Sequence, residues 1–171
     1  MADQAEKIEI SGLLRLRRWY DWDQHALQWS ILQFLKAQEE RGGDLAATSK
    51  NANLFFQLGL GLAEKGDPTL VATINGFPVG WICWGEPETP FEARWKTCHT
   101  FGSYTIPQFR HEGVAMQLRD VAWAMAEQLG YERVIGPVHV SNRRGLKLFK
   151  AGYGAKATSV QFEFFLKGGK K

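Results

Sequence analysis

The sequence predicts a mixed α/β sheet flanked by helices, and three observations carry that expectation. Two apolar runs, Leu70–Ile74 and Val79–Trp84, lie on either side of Asn75-Gly76, a pair suited to the left-handed residues of a tight hairpin turn. Further on, Val114, Leu118, Val121, Ala122, Met125 and Leu129 fall on one helical stripe. Between and beyond these segments the period switches repeatedly, giving the order β-α-α-β-β-β-α-β-α-β.

Taken in order, Leu13 to Trp19 alternates and reads as the first strand. From Asp23 the period turns helical, with Ala26, Leu27, Ile31, Phe34 and Leu35 on one face until Gly42-Gly43. A second helix follows the polar stretch 44–49, with Leu54, Phe55, Leu58 and Leu62 on its apolar side, and Gly66-Asp67-Pro68 ends it. The hairpin comes next, and Trp95 to Ile106 adds a third strand to the meander. Gly130 closes the helix that begins at Val114, and Arg133–Val140 reads as a strand. Ser141-Asn142 are natural caps for a short helix through Leu146 and Phe149 to Gly152, and Lys156–Leu166 is the last strand.

The chain has 171 residues, one domain's worth over 1–171, enough to bury roughly 68–70% of its unfolded surface. With 44% apolar, 23% charged and 13% aromatic residues, it is neither a disordered nor a disulfide-framework chain. Lys plus Arg exceeds Asp plus Glu by 21 − 18 = 3, too little to announce a nucleic-acid or membrane partner, and none is expected. Arg15, Arg17 and Arg18 cluster on the first strand, where a solvated strand face is the favoured reading. Cys83 and Cys98 show no C-x-x-C spacing, so no metal is expected. MADQAEKIEI lacks an apolar signal core and no apolar run approaches a membrane span, so the expected location is cytoplasmic.

The chemistry concentrates in Thr105-Ile106-Pro107-Gln108-Phe109-Arg110-His111-Glu112-Gly113-Val114-Ala115, where a strand turns into a helix N-terminus. The first turn of a helix has N–H groups without intrahelical partners and a partial positive charge. Gly113 and the small Ala115 let a polyanion approach those groups, and Arg110 adds a full charge; a pyrophosphate is held this way.

This stretch resembles the acyl-CoA loop of the GCN5-related N-acetyltransferases (GNAT superfamily), V-x-P-x-[YF]-R-x-x-G-x-[GA], with Thr105 in the first slot. Asn142, Gly145, Leu148, Phe149, Gly152 and Tyr153 are similar to the family's second signature, N-x-x-A-x-x-L-Y followed by G-F. The resemblance implies a mostly antiparallel central sheet with a splayed strand pair that binds acyl-CoA, and acetyl-CoA as cosubstrate. It implies that the backbone of Ser103, Tyr104, Thr105 and Ile106 pairs with the pantetheine arm. Amides of Arg110, His111, Glu112, Gly113, Val114 and Ala115 then hold the pyrophosphate, while Asn142 and Phe149 line the thioester end. A backbone N–H within Ser103–Ile106 is the expected oxyanion donor. Pro137 suits a strand that is partly unpaired.

The expected reaction is acetyl transfer to a primary amine by direct attack on the thioester. Such an amine is only about 0.04% neutral at pH 7, so a base is needed. His99, eleven residues ahead of Arg110 as in the arylalkylamine branch of the family, is the first candidate and His139 the second. Phe149 stands where the family often has a Tyr acid, and Pro137 where some members carry a Glu. Expelling an unprotonated thiolate of pKa about 8.5 costs roughly 2 kcal/mol. These departures support the alternative of a catalytically weak CoA-binding or interaction module. The C-terminus also looks one strand short, so the wall beside the expected acceptor, a small-molecule or peptide amine, is incomplete or is supplied by a partner subunit in a homodimer.

Overall fold

The computed structural model describes residues 13–86, 94–138, 141–147 and 150. The chain divides into two compact units, Met1–Pro137 and Val138–Lys171. In the first, a five-stranded sheet runs in sequence order: β1 (Leu14–Arg18), β2 (Thr69–Ile74), β3 (Phe77–Gly85), β4 (Thr97–Thr105) and β5 (Arg133–Ile135). The first four pair antiparallel, and β5 joins β4 in parallel. This is the mixed, mostly antiparallel sheet the sequence predicts. At the β2–β3 turn Asn75 and Gly76 both take positive φ, 50° and 80°, the left-handed pair that matches the twist of a hairpin.

Helices α1 (Gln24–Glu39) and α2 (Ser49–Lys65) cover one face of the sheet, and α3 (Val114–Gln128) the other. The core on the α1/α2 face is aromatic. Trp81 is fully buried, with Phe34, Phe55, Trp19 and Tyr104 grouped around it. Its indole N–H donates to the Ser30 hydroxyl at 3.1 Å, so a polar atom serves the interior of α1. The α3 face is aliphatic, built on Val79, Ile82, Val114, Leu118 and Ala122.

Three helical stripes are narrower or rotated relative to the sequence reading. On α2 the buried residues are Ala52, Phe55, Phe56, Gly59, Leu62 and Ala63, whereas Leu54 and Leu58 are exposed. The Trp19 ring lies where a Gly59 β-carbon would be, so this large ring decides which face turns inward. On α1 Ala26 is exposed and Ser30 buried. On α3 Val121 and Leu129 are exposed while Ala126 is buried. α2 ends as the sequence reading has it, with Gly66 left-handed at φ 90°.

Arg17 of the basic cluster makes a forked pair with the buried Asp23, both N···O distances 2.6 Å, which raises its pKa. Asp23 also accepts the Tyr20 N–H at 2.9 Å and so fixes the entry to α1. At least this arginine is committed to the fold.

In the second unit, Arg143–Lys147 forms α4. Asn142 caps it: its Oδ1 accepts the Gly145 N–H at 3.0 Å, and its C=O accepts the Leu146 N–H at 2.9 Å. A β-carbon at Gly145 would come within 2.6 Å of the Asn142 amide, which explains the glycine in this cap. The expected continuation of this helix through Phe149 to Gly152, and the strand Lys156–Leu166, lie outside the described residues.

Candidate active site

The site is built on β4. Its first three residues, Thr97, Cys98 and His99, pair with Arg133, Val134 and Ile135 of β5, and His99 also faces Gly85 of β3. β5 ends there. From Thr100 to Thr105, β4 keeps β3 on one side, and among the described residues no strand follows it on the other. Among the described residues the strand read over Arg133–Val140 is confined to Arg133–Ile135; residues 136–138 are not strand and 139–140 lie outside the described residues. Gly136 has room only for a glycine, since a β-carbon there would overlap the Thr100 side chain, and Pro137 brings no N–H to a ladder.

Strand alternation decides which β4 backbone groups face the open edge. The Ile106 N–H donates to Val79 C=O at 3.0 Å, and Thr105 sits opposite Gly80 without exchanging bonds. By the antiparallel rule, Tyr104 and Ile106 turn their backbone groups toward β3, while Ser103 and Thr105 turn theirs outward. Of the four residues expected to pair with an extended ligand arm, two present their backbone to it. The outward Thr105 C=O accepts Arg110 Nε at 3.1 Å.

A bulge interrupts the ladder just inside the fork. Thr100 lies opposite Trp84 and Gly102 opposite Cys83, leaving Phe101 as the extra residue. Gly102 has to be a glycine, because a β-carbon there would stand 2.9 Å from the Phe34 ring and 3.0 Å from that of Phe55. The bulge was not foreseen; the glycine inside an apolar strand is the signal that marks it.

Below β4 the chain makes a 3₁₀ turn, Pro107–Phe109, in which the Arg110 N–H donates to Pro107 C=O at 3.2 Å. That bond takes the Arg110 amide out of the set expected to meet phosphate. The arginine's guanidinium lies 5.5 Å over the Tyr104 ring. His111 and Gly113 then adopt positive φ, 72° and 78°, and swing the chain into α3. Glycine bears this conformation without cost, whereas histidine is strained by it. Gly113 is the N-cap, so no side chain caps the helix, and no acidic residue lies in its first turn. The first intrahelical bond runs from the Gln117 N–H to Gly113 C=O at 3.0 Å; the N–H groups of Val114, Ala115 and Met116 precede it. Val114 is buried, and Gly80 lets it press on the sheet, since a β-carbon at Gly80 would be 3.0 Å from Val114. Glu112 and Ala115 are exposed.

Among the described residues, His99 is the one position of β4 paired on both sides, to Gly85 of β3 and Ile135 of β5. Burial pushes its pKa below the ordinary histidine value; Arg133 pushes the same way and Glu86 opposes. These two charged neighbours were not singled out from the sequence, because only the strand register brings them to His99. His139 and Phe149 lie outside the described residues, and Asn142 belongs to the second unit. Cys83 and Cys98 are free, buried thiols, each pushed by burial up to about 12.

A strand fork leading into an uncapped helix N-terminus is the geometry the resemblance implies, and comparison with known proteins agrees. The model of the acetyltransferase (GNAT) family matches residues 16–153. The chain belongs to that family. As a GNAT protein it is an acetyl-CoA-dependent acetyltransferase. A search of curated proteins gave no match. Among solved structures, the GNAT fold is shared with the aminoglycoside N-acetyltransferase AAC(6′)-Iy, solved with a CoA-linked bisubstrate analogue: TM-score 0.66, 14% identity, 90% of this chain and 98% of that one. A ribosomal-protein-alanine N-acetyltransferase from Brucella melitensis biovar Abortus 2308 gives 0.63 at 18% identity, over 89% and 99% of the two chains. The yncA protein of Salmonella typhimurium, solved with its cofactor acetyl-CoA, gives 0.71 at 17% identity, over 92% and 88%. No described helix is long and apolar enough to cross a membrane.

Proposed function

We propose that this acetyltransferase acetylates a primary amine by direct attack of the amine on the thioester of acetyl-CoA, with His99 as general base. The observation that carries this reading is the position of His99: it is the last paired residue before the fork, on the same strand whose open edge and following helix end suit the cosubstrate. The residues present fit that group. The outward backbone of Ser103 and Thr105 offers strand-like hydrogen bonds to an amide-containing arm. The first-turn amides from Gly113 to Ala115, with His111 and Glu112 in the preceding turn, offer the partial positive charge a pyrophosphate needs. Arg110 contributes through its side chain.

His99 accepts the proton that the incoming ammonium must lose, directly or through a water molecule, and the burial that lowers its pKa favours the neutral ring that role needs. An outward N–H of the β4 edge supports the negative charge developing on the thioester oxygen. The acceptor is a small molecule or a peptide. Thiol release from acetyl-CoA, followed colorimetrically over a panel of amines, peptides and aminoglycosides, tests the reading. Amine-dependent release above the spontaneous rate is the expected outcome. Tight CoA binding with no release for any acceptor would overturn it in favour of a binding module.

A further inference from the structure

We propose that Arg133 is a positioning residue for the reaction: anchored on Thr97 at the mouth of the fork, it sets a positive charge on the sheet face that carries His99, opposite in sign to Glu86 on the other flank. This rests on the reading of His99 as the base.

The parallel register sets Arg133 opposite Thr97 and Ile135 opposite His99. Side chains at paired positions, and at positions two apart on one strand, leave the same face of a sheet. Thr97, His99 and Arg133 therefore share a face. Thr97 is 6% exposed, and its hydroxyl is used twice. It accepts Arg133 Nε at 2.8 Å and donates to Trp95 C=O at 3.1 Å. This chain of bonds ties the guanidinium to a buried anchor two residues from His99, although Arg133 itself is exposed. A surface arginine built only for solvation would not need such an anchor.

On the other flank, Gly85 pairs with His99 and Glu86 follows it at the end of β3. Glu86 carries the opposite charge, and the lowered proton affinity of His99 reflects burial first, then Arg133, against Glu86. Lys96, which precedes β4 on the β5 side, is turned elsewhere: its Nζ donates to Leu129 C=O at 2.7 Å and lies over the Tyr131 ring. Asp67 lies beside Gly85, and its Oδ1 accepts the Tyr131 hydroxyl at 2.6 Å. The described charged groups that shift the ring are Arg133 of β5 and Glu86, which follows β3, of opposite sign.

At the roughly 7 Å that separates diagonal positions on neighbouring strands, a unit charge in largely aqueous surroundings moves a titration midpoint by about 0.4 of a pH unit. The experiment is an NMR pH titration of the His99 imidazole in the isotope-labelled full chain, with the resonance assigned by its loss in His99→Gln. Arg133→Gln should raise the midpoint by about that amount, Arg133→Lys should hold it near the parent value, and Glu86→Gln should lower it. Each shift should shrink at 1 M salt, where the screening length is about 3 Å. Midpoints that do not move in either neutral variant, or that move in the same direction, would overturn the proposal. The acid limb of kcat/KM, recorded on the same proteins, should follow the NMR midpoints. If the midpoints move and the acid limb does not, His99 is not the base; that reading then falls, while the control of the ring by Arg133 stands.

Discussion

Two helices of similar length, α2 and α3, begin in opposite ways. α2 is entered through Thr48, whose hydroxyl accepts the Asn51 N–H at 3.1 Å, so its first turn is closed by its own sequence. α3 is entered through a left-handed Gly113 that has no side chain with which to cap. The capped end belongs to a helix that only packs; the bare end follows the open edge of β4. Glycine at the N-cap sacrifices only a few tenths of a kcal/mol relative to a capping side chain, and here it leaves first-turn N–H groups without a side-chain cap. The contrast separates a helix start closed by its own side chain from one whose open amides suit the proposed pyrophosphate site.

The largest effect should come from separating binding at the α3 end from chemistry at the fork. His99→Ala should lower turnover by about 10²–10⁴-fold while leaving the stabilisation by acetyl-CoA intact. Equal loss of both would make His99 part of the binding site. Since burial and Arg133 lower the His99 pKa, the neutral, active form persists above it. Turnover per unit enzyme should hold across neutral pH and fall only on the acid side of the ordinary histidine range, as measured by kcat/KM against pH.

The second effect concerns the capped end. Thr48→Ala should lower the unfolding free energy by about 1 kcal/mol, read by chemical denaturation, with no change in the added stability from acetyl-CoA. The smallest effect sharpens the contrast most. Ala115 is exposed in the first turn of α3, where a carboxylate interacts favourably with the helix dipole. Ala115→Asp should therefore raise the stability of the ligand-free protein by about 0.3–1 kcal/mol, while repelling a pyrophosphate from the same place. A variant that is more stable and binds less would be hard to explain unless the bare end is a binding site.

Much of this arrangement was legible in the sequence, because local chemistry fixes it. Asn75-Gly76 specified the hairpin, the spacing from Val114 specified α3, and the glycines at 66, 113 and 130 stand where positive φ is required. What the sequence left open depends on contacts between distant residues. Leu54 and Leu58 fit an apolar stripe as well as Phe56 does, and only the Trp19 ring against Gly59 shows which side is buried. The strand after Tyr131 looked long because Val138 and Val140 continue its apolar character, whereas its pairing with β4 ends at Ile135, ahead of Gly136, which lies against Thr100, and of Pro137, which has no N–H. In the site, the phosphate loop was visible as a motif, and His99 by its spacing from Arg110. The outward turn of Ser103 and Thr105, the Phe101 bulge and the Arg133–Thr97 anchor follow from register, which no single segment records.

The central claim, that α3 keeps its N-terminus bare for the pyrophosphate of acetyl-CoA, is tested most directly by thermal unfolding with and without the cosubstrate in three proteins. At a hundred times Kd, acetyl-CoA should add about 2.7 kcal/mol to the parent chain and to Thr48→Ala, a rise of roughly 5–10 °C in Tm. Ala115→Asp should start from a Tm equal to or above that of the parent and gain little or nothing. A parent Tm unmoved by millimolar acetyl-CoA, or a full gain retained in Ala115→Asp, would contradict the account.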